Sequence, residues 1–448
     1  MGAIDGVNVR GCVELGFEEE PEILAIEEAV RVLLQGLCDD SNREGVRKTP
    51  LRVAKALREG TRGYKQKVKD IVSGALFPEA GLENRAGHAG GTGGLVVVRD
   101  LDLFSHCESC LLPFQIKCHV GYVPSGHRVV GLSKLSRVAE VFAKRLQDPH
   151  RLANEICEAL QHGFGPTGVA VILQCSHINF PSSESALSDP NHKGWVKMLA
   201  KSGTGVFHDD MTDVWTDFLS LLRFRGINVE DAHSSGLDNR SWCPSHACSK
   251  TGAPDSAMLR SVASILCSLG EDVPLRKELQ ETPARFVKWL MSFKDSRFDL
   301  KLNGFIQNKR DFRCNDEHLR CEVNLSFWSQ CEHHLLPFHG VVHVGYYSSD
   351  ELNPVQRSVL QSIVHFYGFK LQVQERLTRQ IAETVSSSFL GEDVMVVVEA
   401  SHTCMISRGI EKCGSSTATV ALLGRFSRDA SARGKFLEII PDSGAGEG

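Results

Sequence analysis

The chain repeats itself, and this internal duplication constrains its fold more than any other feature of the sequence. The segment SHCESCLLPF at 105–114 returns as SQCEHHLLPF at 329–338, and HVGY at 119–122 returns as HVGY at 343–346, both at an offset of 224 residues. Further matches continue after one inserted residue. Self-similarity over this length indicates two copies of one domain rather than a single large core.

Each copy begins with helical patterns and continues with short strands. Apolar residues recur at helical spacing over 21–37 and again over 256–269. A second helix in each copy starts with a Thr-Pro pair, at Thr49 and at Thr282. β-branched runs such as 168–173 follow, separated by further helical stretches. This order predicts that both copies belong to the α+β class.

Length and composition place the boundaries of the copies. The 448 residues exceed one ordinary domain, and a hydrophobic content of 42% provides enough apolar mass for folded cores. Residues 231–255 are rich in Ser, Asp, Asn, Gly and Pro and show little periodicity. We therefore expect a first domain at 1–230, a linker at 231–255, a second domain at 256–440 and a flexible tail at 441–448.

Charge and hydropathy exclude several classes of protein. The 50 Lys and Arg residues are balanced by 55 Asp and Glu, so no global basic field favours nucleic acid or an anionic membrane. The longest apolar runs fall far short of the roughly 20 residues that a bilayer span requires. The acidic N-terminal stretch differs from targeting peptides. We expect a cytoplasmic protein without membrane or nucleic-acid partners, whose 15 cysteines are reduced.

The most informative chemical pattern is Cys331-Glu-His-His334, followed 73 residues downstream by Cys404 beside His402. Two thiolates and an imidazole can bind a tetrahedral zinc ion and leave one position for water, which is the pattern of a catalytic site. From spacing alone, Cys404 could equally be a buried apolar residue and the histidines ordinary surface residues. A zinc finger is disfavoured, because it would need a second ligand pair and a basic face.

Longer motifs connect this pattern to a family. The segments CEHHLLPF at 331–338, QVQERLTRQIAE at 372–383, EASHTCMISRG at 399–409 and GLSKLSR at 131–137 resemble GTP cyclohydrolase I, and the tandem arrangement resembles its plant form. The resemblance implies two tunnelling (T-) folds, each with N-terminal helices followed by an antiparallel sheet packed with helices. It also implies a homo-oligomer with active sites at subunit interfaces. The implied reaction converts GTP and water to formate and 7,8-dihydroneopterin triphosphate, the entry step to folate and other pterins.

The resemblance also assigns the metal and the proton-transfer residues. It implies Zn²⁺ ligands at Cys331, His334 and Cys404, and acid/base residues at His333 and His402. Zinc lowers the pKa of a bound water towards about 7, and histidines move protons at neutral pH. These residue types therefore suit the opening of the imidazole ring of guanine.

The substrate would be held by residues of both copies. The resemblance implies that Gln374 and Glu375 bind guanine, and a carboxylate can accept two hydrogen bonds that adenine cannot offer in the same pattern. Residues implied for the triphosphate are Ser133, Lys134, Arg137, Arg52 and Arg285, and Arg408 matches another arginine that binds the substrate. For Arg52 and Arg285, an exposed helix face is an equally good interpretation.

The two copies have lost different parts of this set. In the second copy, Val359 and Ser362 replace the lysine and arginine of the phosphate motif. In the first copy, CESC at 107–110 replaces CEHH, QDPH at 147–150 replaces QVQE, and Asn179 stands in place of the distal cysteine. We therefore expect one zinc ion per chain, bound by the second copy, and composite active sites whose phosphate clamp comes from a first copy.

Cys107-x-x-Cys110 in the first copy has three interpretations: a redox pair, a rebuilt zinc site, or neutral drift at a vacated position. A redox pair would need a helix N-terminus to lower a thiol pKa, and these cysteines precede Leu-Leu-Pro in a strand or loop. Drift is the interpretation that the sequence favours, and the other two stay open.

Rival functions and the assembly also stay open. A decayed duplication could be a non-catalytic pterin- or nucleotide-binding regulator, although the second copy keeps the whole catalytic set. A T-fold nitrile reductase with a cysteine nucleophile and a nicotinamide would have no use for the zinc ligands. Ten half-domains in a double ring would need a pentamer of tandem chains, and a dimer is equally compatible with the duplication.

Overall fold

The structure is a computed structural model, and it describes most of both copies. The described residues are 20–37, 43–78, 94–125, 128–180, 194–209, 211–229, 242–244, 255–270, 276–294, 317–349, 355–390, 393–410 and 415–441. Most of the predicted linker at 231–255, and the predicted tail after residue 441, lie outside the described residues.

The first copy follows the predicted order of helices, strands, helices and strands, and ends in a further helix. Its helices are α1 (Pro21–Gly36), α2 (Glu44–Arg47), α3 (Thr49–Gly60), α4 (Val68–Val72), α5 (Leu132–Ala143), α6 (Pro149–Phe164) and α7 (Asp213–Arg223). Its strands are β1 (Leu76–Pro78), β2 (Val96–Cys107), β3 (Pro113–Val123), β4 (Arg128–Val130), β5 (Leu146–Gln147), β6 (Gly168–Ile178) and β7 (Trp195–Gly205). Proline in the first turn of α1 and of α3 fixes where these helices begin, because its ring already has helical φ.

The second copy repeats this order. Its helices are α8 (Ser256–Leu269), α9 (Thr282–Lys294), α10 (Arg357–Gly368), α11 (Gln374–Val385), α12 (Thr403–Ile406), α13 (Arg425–Arg428) and α14 (Ala430–Leu437). Its strands are β8 (Glu317–Cys331), β9 (Pro337–Ser349), β10 (Leu371–Gln372), β11 (Val394–His402) and β12 (Thr417–Leu422). No helix among the described residues has the length and apolar character needed to cross a bilayer.

The two main sheets have the same topology. The strand order is β5-β2-β3-β6-β7 in the first copy and β10-β8-β9-β11-β12 in the second, and β1 pairs with β4 in a small separate sheet. The long strands pair antiparallel, and only the two-residue strands β5 and β10 pair parallel. Each sheet packs against helices of its copy, so the α+β class with antiparallel sheets is confirmed in both.

The repeated HVGY motif has a structural role in each sheet. Both β2 and β8 carry an irregularity at which a non-glycine residue has positive φ, Asp100 at 54° and Asn324 at 56°. The Nδ1 atom of His119 accepts a hydrogen bond from the Asp100 backbone nitrogen at 3.2 Å, and His343 does the same for Asn324 at 3.3 Å. The motif therefore stabilises the same bend of the sheet twice.

One hydrophobic cluster is shared by the two copies. Helix α1 packs against α3 of its own copy and against α8 of the other. Its buried face, with Ile26 and Leu33, belongs to the same apolar cluster as Met258 of α8 and Leu335, in the turn between β8 and β9. A separate apolar cluster packs the second sheet against α10 and α11. The copies are therefore docked through their N-terminal helices.

Candidate active site

A tight turn between β8 and β9 presents the first two implied zinc ligands. The Leu335 backbone nitrogen donates to the Cys331 carbonyl at 2.9 Å, and the Cys331 nitrogen donates to the Leu336 carbonyl at 2.8 Å. Leu335 has a φ of 53°, in the left-handed region that a side chain rarely adopts, and closes the turn. Cys331 and His334, three residues apart, therefore point towards the same space.

The third implied ligand comes from the end of β11. This strand pairs with β9 up to His402, opposite Phe338, and then continues into the short helix α12. The Thr403 hydroxyl donates to the Pro337 carbonyl at 2.6 Å, which holds the start of α12 against the turn. Ligand atoms of Cys331, His334 and Cys404 consequently lie within 4.8 Å of one another.

This donor set fits a zinc ion. Cys331 and Cys404 are buried, and His334 is partly exposed, so the group is reached from one side. Contact with the Cys404 thiol lowers the pKa of Cys331, while contact with Cys331 and burial raise the pKa of Cys404. Contact between the two sulfurs thus favours the thiolate at Cys331 and the thiol at Cys404, and a dication bound to both sulfurs would favour two thiolates.

The two implied acid/base histidines flank this group in different ways. His402 is stacked on Phe338, with ring centroids 4.6 Å apart, and its Nε2 lies 2.8 Å from the Oε1 atom of Gln374. The Gln374 amide nitrogen in turn donates to the Val398 and Thr417 carbonyls, at 3.0 and 2.8 Å. Gln374 is therefore buried and orients His402. His333 is partly exposed and lies next to the zinc ligands in the turn.

The implied guanine anchor begins helix α11. Glu375 is exposed and lines an open groove of about 420 Å³ together with Thr378, Arg379 and residues of β12. Strand β12 ends the strand order of its sheet. The groove therefore lies between α11 and the last strand of the sheet in the described part of the chain.

A buried carboxylate between the ligands was not assigned from the sequence. Glu332 is 2% exposed, and its carboxylate accepts hydrogen bonds from Arg43 and Arg376, both at 2.6 Å. The Thr49 hydroxyl donates to the backbone carbonyl of Glu332, also at 2.6 Å. Arg43 and Thr49 belong to the first copy, so its helices hold the turn that carries Cys331.

The second copy makes the equivalent contact to the turn of the first copy. Glu108, the counterpart of Glu332, pairs with Arg151 and with Arg276, the latter at 2.5 Å, and its carbonyl accepts the Thr282 hydroxyl at 2.5 Å. The exchange is reciprocal. The sequence contained a signal for these contacts. The two glutamates, the arginines after QVQE and QDPH, and the Thr-Pro pairs all recur in both copies.

The other substrate residues implied by the resemblance lie in two different parts of the structure. The Arg408 Nε atom donates to the Cys404 carbonyl at 2.7 Å, which places this arginine beside the zinc ligands. Ser133, Lys134 and Arg137 lie in the first turns of α5. At the opposite end of that helix, Lys144 donates to the Ser407 carbonyl at 3.4 Å.

The two helix arginines differ in their partners. Arg52 donates to the Gly45 carbonyl at 3.4 Å, whereas Arg285 is ion-paired with Glu281, four residues earlier on its own chain segment. Lys48 stands where the second copy has Glu281. Of the two arginines, Arg52 therefore has no acidic residue four positions before it. The helix of Arg52 is the one that contacts the turn of Cys331.

Comparisons with known proteins agree with these features. The sequence model of the family described as GTP cyclohydrolase I matches residues 26–216 and again 258–441. Tomato (Solanum lycopersicum) GTP cyclohydrolase 1 is 69% identical over 99% of both chains, and the Arabidopsis thaliana protein of that name is 60% identical over 97% of this chain and 94% of its own. The Dictyostelium discoideum protein is 44% identical over 47% of this chain and 85% of its own. With the fold, the convergent ligands and both matched regions in place, this chain belongs to the GTP cyclohydrolase I family, in its tandem two-domain form.

Proposed function

We propose that the chain is a zinc-dependent GTP cyclohydrolase that opens the guanine imidazole ring of GTP to give formate and 7,8-dihydroneopterin triphosphate. The observation that carries this proposal is the convergence of Cys331, His334 and Cys404 beside the Gln374–His402 pair. The reaction would supply the first intermediate of pterin and folate synthesis.

Three side chains would hold the ion, and the surrounding residues would handle protons. Bound by Cys331, His334 and Cys404, zinc supplies a Lewis acid that activates water at neutral pH. The Gln374 oxygen accepts from Nε2 of His402 and fixes the orientation of that ring, which would exchange protons with the substrate. His333, partly exposed in the turn, can exchange protons with solvent and substrate.

Base recognition would depend on covering Glu375. A carboxylate in contact with water discriminates weakly between bases, since water competes for its hydrogen bonds. Glu375 lies in the groove that is open beside β12. A second chain that pairs with this edge would close the groove, and this supports a homo-oligomer with sites at chain interfaces.

The phosphate clamp would come from a first copy, and we infer that it comes from another chain. Lys144, at the end of α5, contacts Ser407 beside the zinc ligands of its own chain. Lys134 lies ten residues earlier, and a helix rises about 1.5 Å per residue, so it is about 15 Å further along the axis. This separation from the Lys144–Ser407 contact supports a clamp that serves the site of a neighbouring chain. Arg52, on the helix that contacts Glu332, would be the contribution of the same chain.

The test is formate release from GTP by the purified, zinc-loaded full-length protein. We expect turnover that needs zinc and disappears in Cys404→Ala. Stoichiometric GTP or pterin binding without formate would favour the regulator instead. A protein that is active without zinc, and only with a nicotinamide, would favour the nitrile reductase.

A further inference from the structure

The first copy contains a second cluster of metal-binding side chains. Ligand atoms of Cys107, Cys110, His177 and Cys243 all lie within 4.8 Å of one another. Nε2 of His177 is 3.3 Å from the Cys110 sulfur and 3.9 Å from the Cys243 sulfur. Each of the four residues is at most 1% exposed. Three thiols and an imidazole thus meet in a space closed to solvent.

Three parts of the fold supply these residues. Cys107 ends β2, and Cys110 lies in the following turn, which repeats the turn of the second copy with Leu111 at a φ of 59°. His177 lies on β6 opposite Phe114. Cys243 comes from the region between the two segments that match the family, so it has no counterpart within those segments.

An aromatic contact fixes Cys243 in place. The ring of Trp242 packs edge-on against Phe114 and against His177, with centroids 4.9 and 5.1 Å apart. Trp242 is 6% exposed. Burial of such a ring commits the adjacent residue to the interior of the first copy.

The hydrogen bonding of His177 prepares it as a ligand. Its Nδ1 lies 2.8 Å from the Ile178 carbonyl, which can only accept, so Nδ1 carries the proton and the lone pair of Nε2 faces the sulfurs. Its counterpart His402 instead has Nε2 bonded to Gln374. The first copy has Pro149 at the position of that glutamine. The histidine at this position of the repeat therefore bonds a backbone carbonyl in the first copy and Gln374 in the second.

We propose that the first copy holds a structural zinc ion on Cys107, Cys110, His177 and Cys243. Four protein ligands complete a tetrahedral shell and leave no position for water, which separates this site from a catalytic one. With Zn–S bonds of about 2.3 Å, tetrahedral sulfurs lie about 3.8 Å apart, so the four atoms need to approach by about 1 Å at most. Binding deprotonates the three thiols and leaves a net charge of −1 on the site.

This ion would tie the segment after the first copy to the first sheet. It replaces the expectation of one zinc per chain with two, and it selects the rebuilt site among the interpretations of Cys107-x-x-Cys110. A redox pair fits less well, because a disulfide uses two sulfurs and gives no reason for a third thiol and an imidazole to converge on them.

Metal counting on the full-length protein tests the proposal independently of GTP turnover. We expect two zinc ions per chain in the wild type and one in Cys110→Ala/Cys243→Ala, which keeps only two of the four ligands. The exposed Cys267 provides the matched control, and Cys267→Ala should keep both ions. In Cys404→Ala, the single remaining ion should show three sulfur neighbours and one nitrogen by X-ray absorption. Cobalt substituted there should give the intense visible bands of a tetrahedral thiolate site.

Two results would overturn it: one zinc per chain in the wild type, or two in Cys110→Ala/Cys243→Ala. Should that double variant fail to fold, X-ray absorption of the wild type decides. An average of two sulfurs per zinc would refute the site, and a value between two and three would support it.

Discussion

The Thr49 hydroxyl donates a 2.6 Å hydrogen bond to the backbone carbonyl of Glu332, across 283 residues of sequence. A helix of the first copy therefore holds the turn that carries Cys331 and His334. Replacing Thr49 with Val keeps its shape but removes the donor. We expect unfolding to become easier by about 1 kcal/mol and kcat/KM for GTP to fall several-fold, measured by urea denaturation and formate release.

The chain provides a matched control for this substitution. Thr282→Val removes the same hydrogen bond at Glu108, in the copy whose guanine anchor is absent. We expect a similar loss of stability with kcat/KM close to wild type. Equal kinetic defects in the two variants would show that the contact supports the fold without positioning the catalytic turn.

Chelation and ligand removal should act on the same ion. If Cys331, His334 and Cys404 hold one ion, Cys331→Ala should lose one zinc ion per chain together with formate release, and a chelator should inactivate the wild type. Added zinc should then restore the activity of the chelated wild type. Full turnover of a Cys331→Ala protein that has lost this ion would contradict the assignment.

Base selection should depend on Glu375. Glu375→Gln keeps the volume of the side chain but spoils one of the two hydrogen bonds to guanine, and an unpaired polar group in a closed site costs about 1 to 3 kcal/mol. GTP turnover should fall about 5- to 150-fold with zinc retained, since about 1.4 kcal/mol is a factor of ten. Glu383→Gln, on the same helix and the same groove, should leave turnover unchanged. Normal kinetics of Glu375→Gln would remove the assignment.

Mixing two inactive chains should separate sites within chains from sites between them. Lys134→Ala lacks part of the clamp and Cys331→Ala lacks the metal, so co-assembled chains regain complete sites only when the two parts come from different chains. We expect partial recovery of formate release after refolding the variants together. Lys65→Ala, an exposed lysine of the same copy, should be active alone. No recovery in verified mixed oligomers would place each site within one chain.

Buried histidines should make the fold sensitive to acid. Burial lowers the pKa of His339 and of His365 to about 4. In the unfolded chain these two histidines take up protons below about pH 6.5, while in the folded chain they do so only near pH 4. Stability should therefore decrease as the pH falls through this window. Urea unfolding at pH 7.5 and at pH 5 should show a smaller decrease in the free energy of unfolding for His365→Gln than for wild type. The exposed His208 gives the control, since His208→Gln should keep the wild-type loss.

Sequence reasoning predicted the fold class because it depends on local signals, while the ligands of the second copy came from the resemblance and stay a prediction. Thr-Pro pairs begin helices, β-branched runs form strands, and the ligands of the turn lie three residues apart. The contact of Thr49 with Glu332 depends on how two copies dock, which no local pattern encodes. Cys243 was missed for the same reason: it lies far from Cys107 in sequence, and only the packing of Trp242 brings it there.

The reciprocal threonine contacts also affect how the duplicated copies can evolve. A copy that loses its own catalytic residues is ordinarily exposed to deletion, because selection no longer maintains it. Here the helix that begins at Thr49 holds the catalytic turn of the other copy, and the helix that begins at Thr282 holds its degenerate counterpart. Selection on one active centre consequently preserves both halves of the gene, while each remains free to specialise in its own chemistry.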